Sequence, residues 1–321
     1  NSKIILTFHN DPLNLRGSIL PSEREYISKN CEKIIFISKW IKKRFYTQTT
    51  TNFTNNYELI YHGILKKKNI NLSKKKKNIL FVGKLNESKG YKIFYDAAKE
   101  FKKINPDWNF IAIGNETRKK IFPKKNIINE IGYKDNKDVL NYYEKSEIAI
   151  GNSLWNEPLG RIAIEASSRK CCPIITDVGG LIESKDIAIV LKKNNVDHIL
   201  AILKKLTNNK KYLRSLQNKF YNKNNFDIRK ISNSIDLIRT NVFKKDHLTL
   251  NTNNLKILHI TNFNERFDGR LHYNTSKRLN NGFIRNGHNV LTMSDRDITY
   301  YYKGITDLKG VKKFNDKVLN T

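Results

Sequence analysis

The chain has 321 residues and a formal net charge of +30, from 60 Lys and Arg against 30 Asp and Glu. That length admits two or three Rossmann-like units, and no apolar run nears the ~20 residues of a membrane span. Cys31, Cys171 and Cys172 and the scattered histidines exclude a disulfide framework and a zinc-ligand spacing and point to a reducing, cytoplasmic compartment.

The elements follow in chain order. Ile4 to His9 reads as a buried parallel strand ending in a polar loop, 21–30 as helix, and Lys33 to Ile37 as strand. Ser38 is placed to cap a helix over Lys39 to Tyr46. That helix is basic with an aromatic-aliphatic side, which suits either a core helix with a charged outer face or a membrane-surface contact. A strand at Glu58 to Tyr61 leads into His62-Gly63, and a basic, solvated linker runs to about 77. A second α/β unit opens with Asn78 to Gly83. Its helix, about 88 to 104, spaces Tyr91, Phe94, Ala98, Phe101 and Ile104 along one face. Strands are predicted at Phe110 to Ile113, Ile127 to Ile131, Ile148 to Ile150, Pro173 to Thr176 and Ile187 to Leu191. A short helix falls at Asp138 to Tyr143, and helices fill about 195 to 245. This alternation predicts parallel, doubly wound sheets. After a polar stretch the pattern restarts: strand Lys256 to Thr261, a loop through Asp268-Gly269-Arg270, a helix to Arg285, and strand Asn289 to Leu291.

Chemistry concentrates in Trp155-Asn156-Glu157-Pro158-Leu159-Gly160-Arg161-Ile162-Ala163-Ile164-Glu165. Two carboxylates stand eight positions apart, with Pro158 suited to a helix start. The first is expected in a loop and the second about two turns into a helix. The helix start between them offers free N–H groups suited to phosphate. Upstream, Gly83-Lys84-Leu85-Asn86-Glu87-Ser88-Lys89-Gly90 puts two lysines in a loop between strand and helix.

The Glu157/Glu165 stretch resembles the Glu-x7-Glu signature of family 4 retaining glycosyltransferases, and Lys89-Gly90 matches that family's Lys-Gly. Lys84 stands where the family has Arg, keeping the charge but losing the bidentate fork. The resemblance covers about 1–245 and implies a GT-B fold, α/β, of two Rossmann-like doubly wound domains, the first truncated. It implies 1–65 as part of an acceptor-side domain, 66–77 as linker and 78–245 as the donor domain. Residues 246–254 are then a second linker. The 255–321 tail resembles the start of another GT-B domain, of the spore-maturation type. The first residue is Asn, and the chain is expected to be a fragment.

The resemblance further implies transfer of a sugar from a UDP- or GDP-sugar to a glycan or lipid-linked acceptor in cell-envelope polysaccharide synthesis, without a metal or other cofactor. Lys84, Lys89, Glu157 and His9 would act at the reacting centre. Gly83, Glu165, Leu159, Gly160, Arg161 and Tyr133 would hold the donor, Glu165 through the ribose hydroxyls. Other readings of the same residues are a helix-face pair of Glu165 with Arg169, surface lysines at 84 and 89, and a strand-end His9 without a role. Gly179-Gly180-Leu181-Ile182-Glu183 resembles the family's Gly-Gly-x-Pro-Glu and reads first as a structural turn. Asp295-Arg296-Asp297 has Asp-x-Asp spacing and reads as solvated turn residues rather than a metal motif. Two alternatives remain for the whole chain: a GT-B protein that binds a sugar nucleotide without turnover, and a basic nucleic-acid-binding protein. The second lacks aromatics interleaved with a basic groove, so no nucleic-acid partner is expected. Lys, Asn and Ile are all abundant, as AT-rich codons would give, which accounts for much of the charge. Peripheral contact with an acidic membrane is the partner the charge would suit.

Overall fold

The computed structural model describes residues 4–50, 56–116, 127–244, 255–261, 263, 275–304 and 306–320. The chain forms two compact units, Asn1–Lys245 and Asp246–Thr321.

The first unit contains two parallel sheets. The smaller holds β1 (Ile5–Phe8), β2 (Lys33–Phe36) and β3 (Tyr57–Leu59) in that order. Helices α1 (Pro21–Asn30) and α2 (Lys39–Phe45) flank β2 in sequence. Ser38 caps α2 as expected, its hydroxyl accepting the Ile41 N–H at 3.0 Å. Phe8, Phe36 and Phe45 form the centre of this lobe, with rings 5.0–5.9 Å apart. Arg24 is fully buried there without a carboxylate partner in hydrogen-bond range among the described residues. Its guanidinium instead donates to the carbonyls of Ser18, Ile19, Phe45 and Thr47 at 2.5–2.7 Å. That tie locks the start of α1 to the end of α2, and it satisfies the donors that burial would otherwise leave unpaired.

The larger sheet holds β4 (Lys76–Val82), β5 (Asn109–Ile113), β6 (Ile128–Glu130), β7 (Ser146–Gly151), β8 (Cys172–Ile175) and β9 (Ile189–Val190). Its order is β6-β5-β4-β7-β8-β9, all parallel, so the winding reverses between β4 and β7. Around it lie α3 (Tyr91–Ile104), α4 (Asn136–Lys145), α5 (Ile162–Ser167), α6 (Val196–Asn208) and α7 (Lys210–Lys223), and α8 (Ile228–Lys244) starts beside Ile64. Burial on both faces explains the unbroken apolar strands. Along β4, Ile79 and Phe81 join the cluster containing Phe94 and Phe101, while Leu80 joins Val139 and Tyr143 in another.

Three expectations need correction here. The basic linker does not remain solvated to 77: Lys75 is buried and donates to the carbonyls of Tyr143, Glu144, Ser146 and Arg169 at 2.7–3.1 Å. One ammonium thus occupies carbonyls at the C-terminal ends of two helices, where the helix dipole favours a cation, and β4 already begins at Lys76. The helix expected from about 88 starts at Tyr91 after a 3-10 turn, Glu87–Lys89. The Glu165 helix starts at Ile162, not at Pro158, so Glu165 lies in its first turn.

In the second unit, β10 (Lys256–Thr261) and β11 (Asn289–Ser294) pair in parallel with Ile257 opposite Val290. Helices α9 (Thr275–Arg285), α10 (Asp295–Tyr301) and α11 (Val311–Leu319) complete its described part. Asp295-Arg296-Asp297 opens α10 instead of forming a solvated turn, and buried Asp297 accepts from the Ser294 hydroxyl. The linker at 246–254 and the loop through 268–270 lie outside the described residues.

Candidate active site

The reversal between β4 and β7 splays the connections that follow them, and a crevice opens at their carboxyl ends. A cleft of about 180 Å³ lies there, lined in part by Gly83, Lys89, Tyr143, Glu157, Arg161 and Glu165. The loop after β4 is held from both sides. Asn86 caps the 3-10 turn by accepting the Lys89 N–H at 3.2 Å. The Ser88 carbonyl accepts the N–H groups of both Leu154 and Trp155 at 2.9 Å. These bonds fix the phosphate-loop candidate against the segment leading to Glu157, and the Lys89 ammonium ion-pairs with the Glu157 carboxylate.

The Glu157 loop rests directly on Gly179-Gly180. The Gly180 N–H donates to the Glu157 carbonyl at 2.6 Å. A Cβ on Gly179 would stand 2.4 Å from that same oxygen, so no larger residue permits the contact. This sequence is therefore more than a turn: it is the bed on which Glu157 lies. Gly160 has φ +75°, and a Cβ there would also meet Leu181 at 2.3 Å.

Glu165 is only 7 % exposed. Arg161 pairs with it at 2.9 Å and the Asn136 amide donates to it at 3.2 Å. Burial raises its pKa, and Arg161, Asn136 and Arg169 act in the opposite sense. The helix-face pair with Arg169 does not form as a contact, because that guanidinium donates to the carbonyls of Leu65 and Ser168 and to the Ser168 hydroxyl. Tyr143 lines the cleft with a fully buried hydroxyl that has no hydrogen-bond partner among the described residues. Its burial, then the nearby Glu165 charge, push its pKa well above the ordinary value.

The smaller sheet meets this site through the ends of its three strands. Ser38, after β2, donates its hydroxyl to the Pro158 carbonyl at 2.5 Å. His9, after β1, and His62, after β3, reach each other with Nδ1 of His9 3.2 Å from Nε2 of His62 and rings 5.5 Å apart. His62 has its pKa lowered to about 4, first by burial, then by His9 and by the charge of Arg161. Glu183 extends from the lobe of the larger sheet to accept the N–H groups of Lys39 and Trp40 at 3.0 and 2.8 Å and the Tyr61 hydroxyl at 2.9 Å.

Of the residues singled out in the sequence, Gly83, Lys89, Glu157, Gly160, Arg161 and Glu165 line one cleft. Leu159 is buried, so only its backbone is available there. Lys84 and Tyr133 are exposed and line no part of this cleft, and Lys84 has no side-chain partner among the described residues. His62, Asn136, Ser38 and Glu183 join the site or its frame without having been assigned there. His62-Gly63 at a strand end was the available signal for the first, and the Glu of the Gly-Gly turn for the last. Helix α2 spends much of its charge internally: Arg44 pairs with Asp11 at 2.8 Å and Lys42 lies 3.7 Å from the Tyr57 ring centre. The cysteines are free and buried. Among the described residues no grouping of three or more His, Cys, Asp or Glu is arranged to hold a metal, and no helix is long and apolar enough to cross a membrane.

The model of the family described as glycosyl transferases group 1 matches residues 64–223. No curated protein matches the chain. Among solved structures, Anabaena HepE in complex with UDP-glucose is similar at 14% identity and TM-score 0.60, over 74% of this chain and 72% of that one. A glycosyltransferase from Rickettsia africae is similar at 19% identity and TM-score 0.61, over 75% and 71%. Sucrose-phosphate synthase from Thermosynechococcus elongatus gives 15% identity and TM-score 0.59, over 75% and 68%. The fold shared with these structures is GT-B.

Proposed function

We propose that the protein is a glycosyltransferase that moves a sugar from a nucleotide-diphosphate donor to a glycan or lipid-linked acceptor, with retention at the anomeric carbon. One observation carries the reading. Two cation–carboxylate pairs, Lys89–Glu157 and Arg161–Glu165, lie in the crevice where the strand order reverses, inside the segment that matches the family.

The chemistry follows from that grouping. Breaking the anomeric C–O bond leaves an extra negative charge on the departing diphosphate. Lys89 and Arg161 are the cations placed to neutralise it, each by exchanging a carboxylate for a phosphate oxygen. Glu165, freed from Arg161, accepts from the vicinal ribose hydroxyls. Glu157 and the backbone of Leu159-Gly160-Arg161 contact the transferred sugar. His9, at a strand end of the other sheet, would help orient the attacking hydroxyl or the diphosphate. The acceptor proton leaves with the diphosphate after same-face attack, so the mechanism requires no dedicated base. No metal or organic cofactor enters it. A UDP-sugar is the first donor to test, because HepE was crystallised with UDP-glucose. The role in cell-envelope polysaccharide synthesis, in the cytoplasm or at its membrane face, extends the same reading. A thermal-shift panel of UDP-, GDP- and ADP-sugars, followed by a product assay, tests it; ligand binding raises the melting temperature with the logarithm of ligand concentration over Kd. No shift with any of them would reject the donor assignment.

A second reading, donor binding without turnover, is favoured by the position of Lys84. It stands where the family has Arg, and it is exposed outside the cleft. Binding by calorimetry with no product formed would select it.

A further inference from the structure

Beside the cleft, the strand ends of the smaller sheet contain a histidine contact that the reaction outlined above does not use. Three strand ends meet there in the order β1, β2, β3. The middle one carries Ser38, which bonds the Pro158 carbonyl next to Glu157. The outer two carry His9 and His62, whose rings stack over the gap and bring Nδ1 of His9 to 3.2 Å from Nε2 of His62. These two residues therefore belong to the face turned toward Pro158 and Arg161. The charge of Arg161 reaches His62.

Two neutral tautomer arrangements satisfy that contact. In one, His9 donates from Nδ1, and the His62 proton must then sit on its own Nδ1. In the other, His62 donates from Nε2, and its Nδ1 is a bare lone pair. The Nδ1 of His62 is buried and has no hydrogen-bond partner among the described residues. An orphaned buried N–H is rarer in native proteins than an acceptor left short of a donor. The first arrangement creates that N–H; the second avoids it. A third proton on the pair would also have to occupy the same buried nitrogen, beside Arg161, so the pair is neutral.

We propose that His62 is a positioning residue: it donates its Nε2–H to Nδ1 of His9 and so fixes His9 as the tautomer whose Nε2–H is free for a ligand oxygen. A guanidinium or ammonium in this position would repel Arg161, whereas a neutral N–H donates without adding charge. The identity of the ligand rests on the nucleotide-sugar reading; the tautomer does not.

Two measurements on the full chain test this. Long-range 1H–15N correlation spectra of 15N-histidine-labelled protein at neutral pH, assigned with His9→Gln and His62→Gln, report each ring directly. The expected pattern is a bare Nδ1 and a protonated Nε2 on both rings. A protonated Nδ1 on His9 overturns the proposal. The second measurement is calorimetry with UDP-glucose and GDP-mannose on His62→Gln and His62→Leu. Glutamine keeps an amide N–H near the position of Nε2, so affinity should stay within about threefold, while leucine removes the donor and should cost about five- to tenfold. Circular dichroism establishes that both variants fold. Equal affinities in the two variants would mean that His62 only fills space. If the unsubstituted protein binds neither sugar nucleotide, the donor reading falls, and the spectra still decide the role of His62.

Discussion

The two sheets approach the site with opposite electrostatic plans: the larger one lines the cleft, and the smaller one reaches its edge through Ser38. The wall from the larger sheet carries four charges arranged as two pairs, Lys89 with Glu157 and Arg161 with Glu165. The strand ends of the smaller sheet beside it carry Ser38, His9 and His62. Ser38 and the two histidines supply hydrogen bonds alone. Glu183, the carboxylate at this boundary, already accepts from two backbone N–H groups and a tyrosine hydroxyl. The difference separates what a ligand must rearrange from what it finds ready. On the proposed reading, a diphosphate and a ribose would take over partners that on the charged wall now belong to one another. On the neutral wall nothing needs to let go. Binding strength should therefore depend chiefly on the charged wall, and orientation on the neutral one.

Lys89→Met should produce the largest effect. It deletes the cation nearest Glu157, and removing one such stabilising group typically costs about 10²–10³ in turnover. If the charged wall works by partner exchange, Glu157→Gln alone should be milder, because it releases Lys89 for the phosphate instead of removing it. Single-turnover assays on both variants decide this, and a larger loss in Glu157→Gln would break the exchange picture. Glu165→Ala should come next. Losing a charged acceptor for two hydroxyls weakens donor binding by about 2 kcal/mol, roughly 30-fold. Unchanged affinity in calorimetry would remove Glu165 from the donor site.

The same contrast explains what could be read in the chain beforehand. The larger sheet was legible because strands covered on both faces show as continuous apolar runs, and Gly-rich connections mark where they end. The spacing of Glu157 and Glu165 was visible for the same reason: the charged wall is nearly all contributed by two short stretches of sequence. The neutral wall was not, because each contribution comes from a different strand end. His9 and His62 are 53 positions apart and Ser38 lies 120 from Pro158, so only the fold brings them together. Local composition also misled in one place. Lys74 to Lys77 has the pattern of a solvated run, yet a single ammonium within it, Lys75, closes four backbone carbonyls. Long-range acceptors of that kind leave no mark in a sequence window. Pro158 misled differently: proline suits a helix start, but Gly160 in the left-handed region delays the helix to Ile162.

Glu183→Ala tests whether the neutral wall is held in advance. Three hydrogen bonds between the lobes depend on this carboxylate. Its loss should cost about 1–3 kcal/mol of stability, seen as a lower denaturation midpoint in urea. Turnover should fall less than in Lys89→Met, since no charge near the diphosphate is removed. A loss of turnover equal to that of Lys89→Met, at unchanged stability, would place Glu183 among the reacting groups instead.

The last expected effect falls on stability and not on turnover: the pH dependence contributed by His62. Its folded pKa is pushed down to about 4 from the ordinary 6.5, by burial first and then by His9 and Arg161. Between those values the unfolded chain binds more protons than the folded one, so stability rises with pH across this window. The contribution is complete above the ordinary histidine range and is lost as acid approaches the folded value. His9 is also shifted down by burial and slopes the same way. His62→Gln removes one titrating ring and keeps a donor. Urea denaturation midpoints taken from pH 7.5 down to 4.5 should therefore fall less steeply in the variant than in the parent. A steeper fall in the variant would mean that His62 is protonated in the folded protein and that the wall is charged after all. The comparison between the walls would then fail at its neutral half, whatever the kinetics of Lys89 and Glu165 had shown.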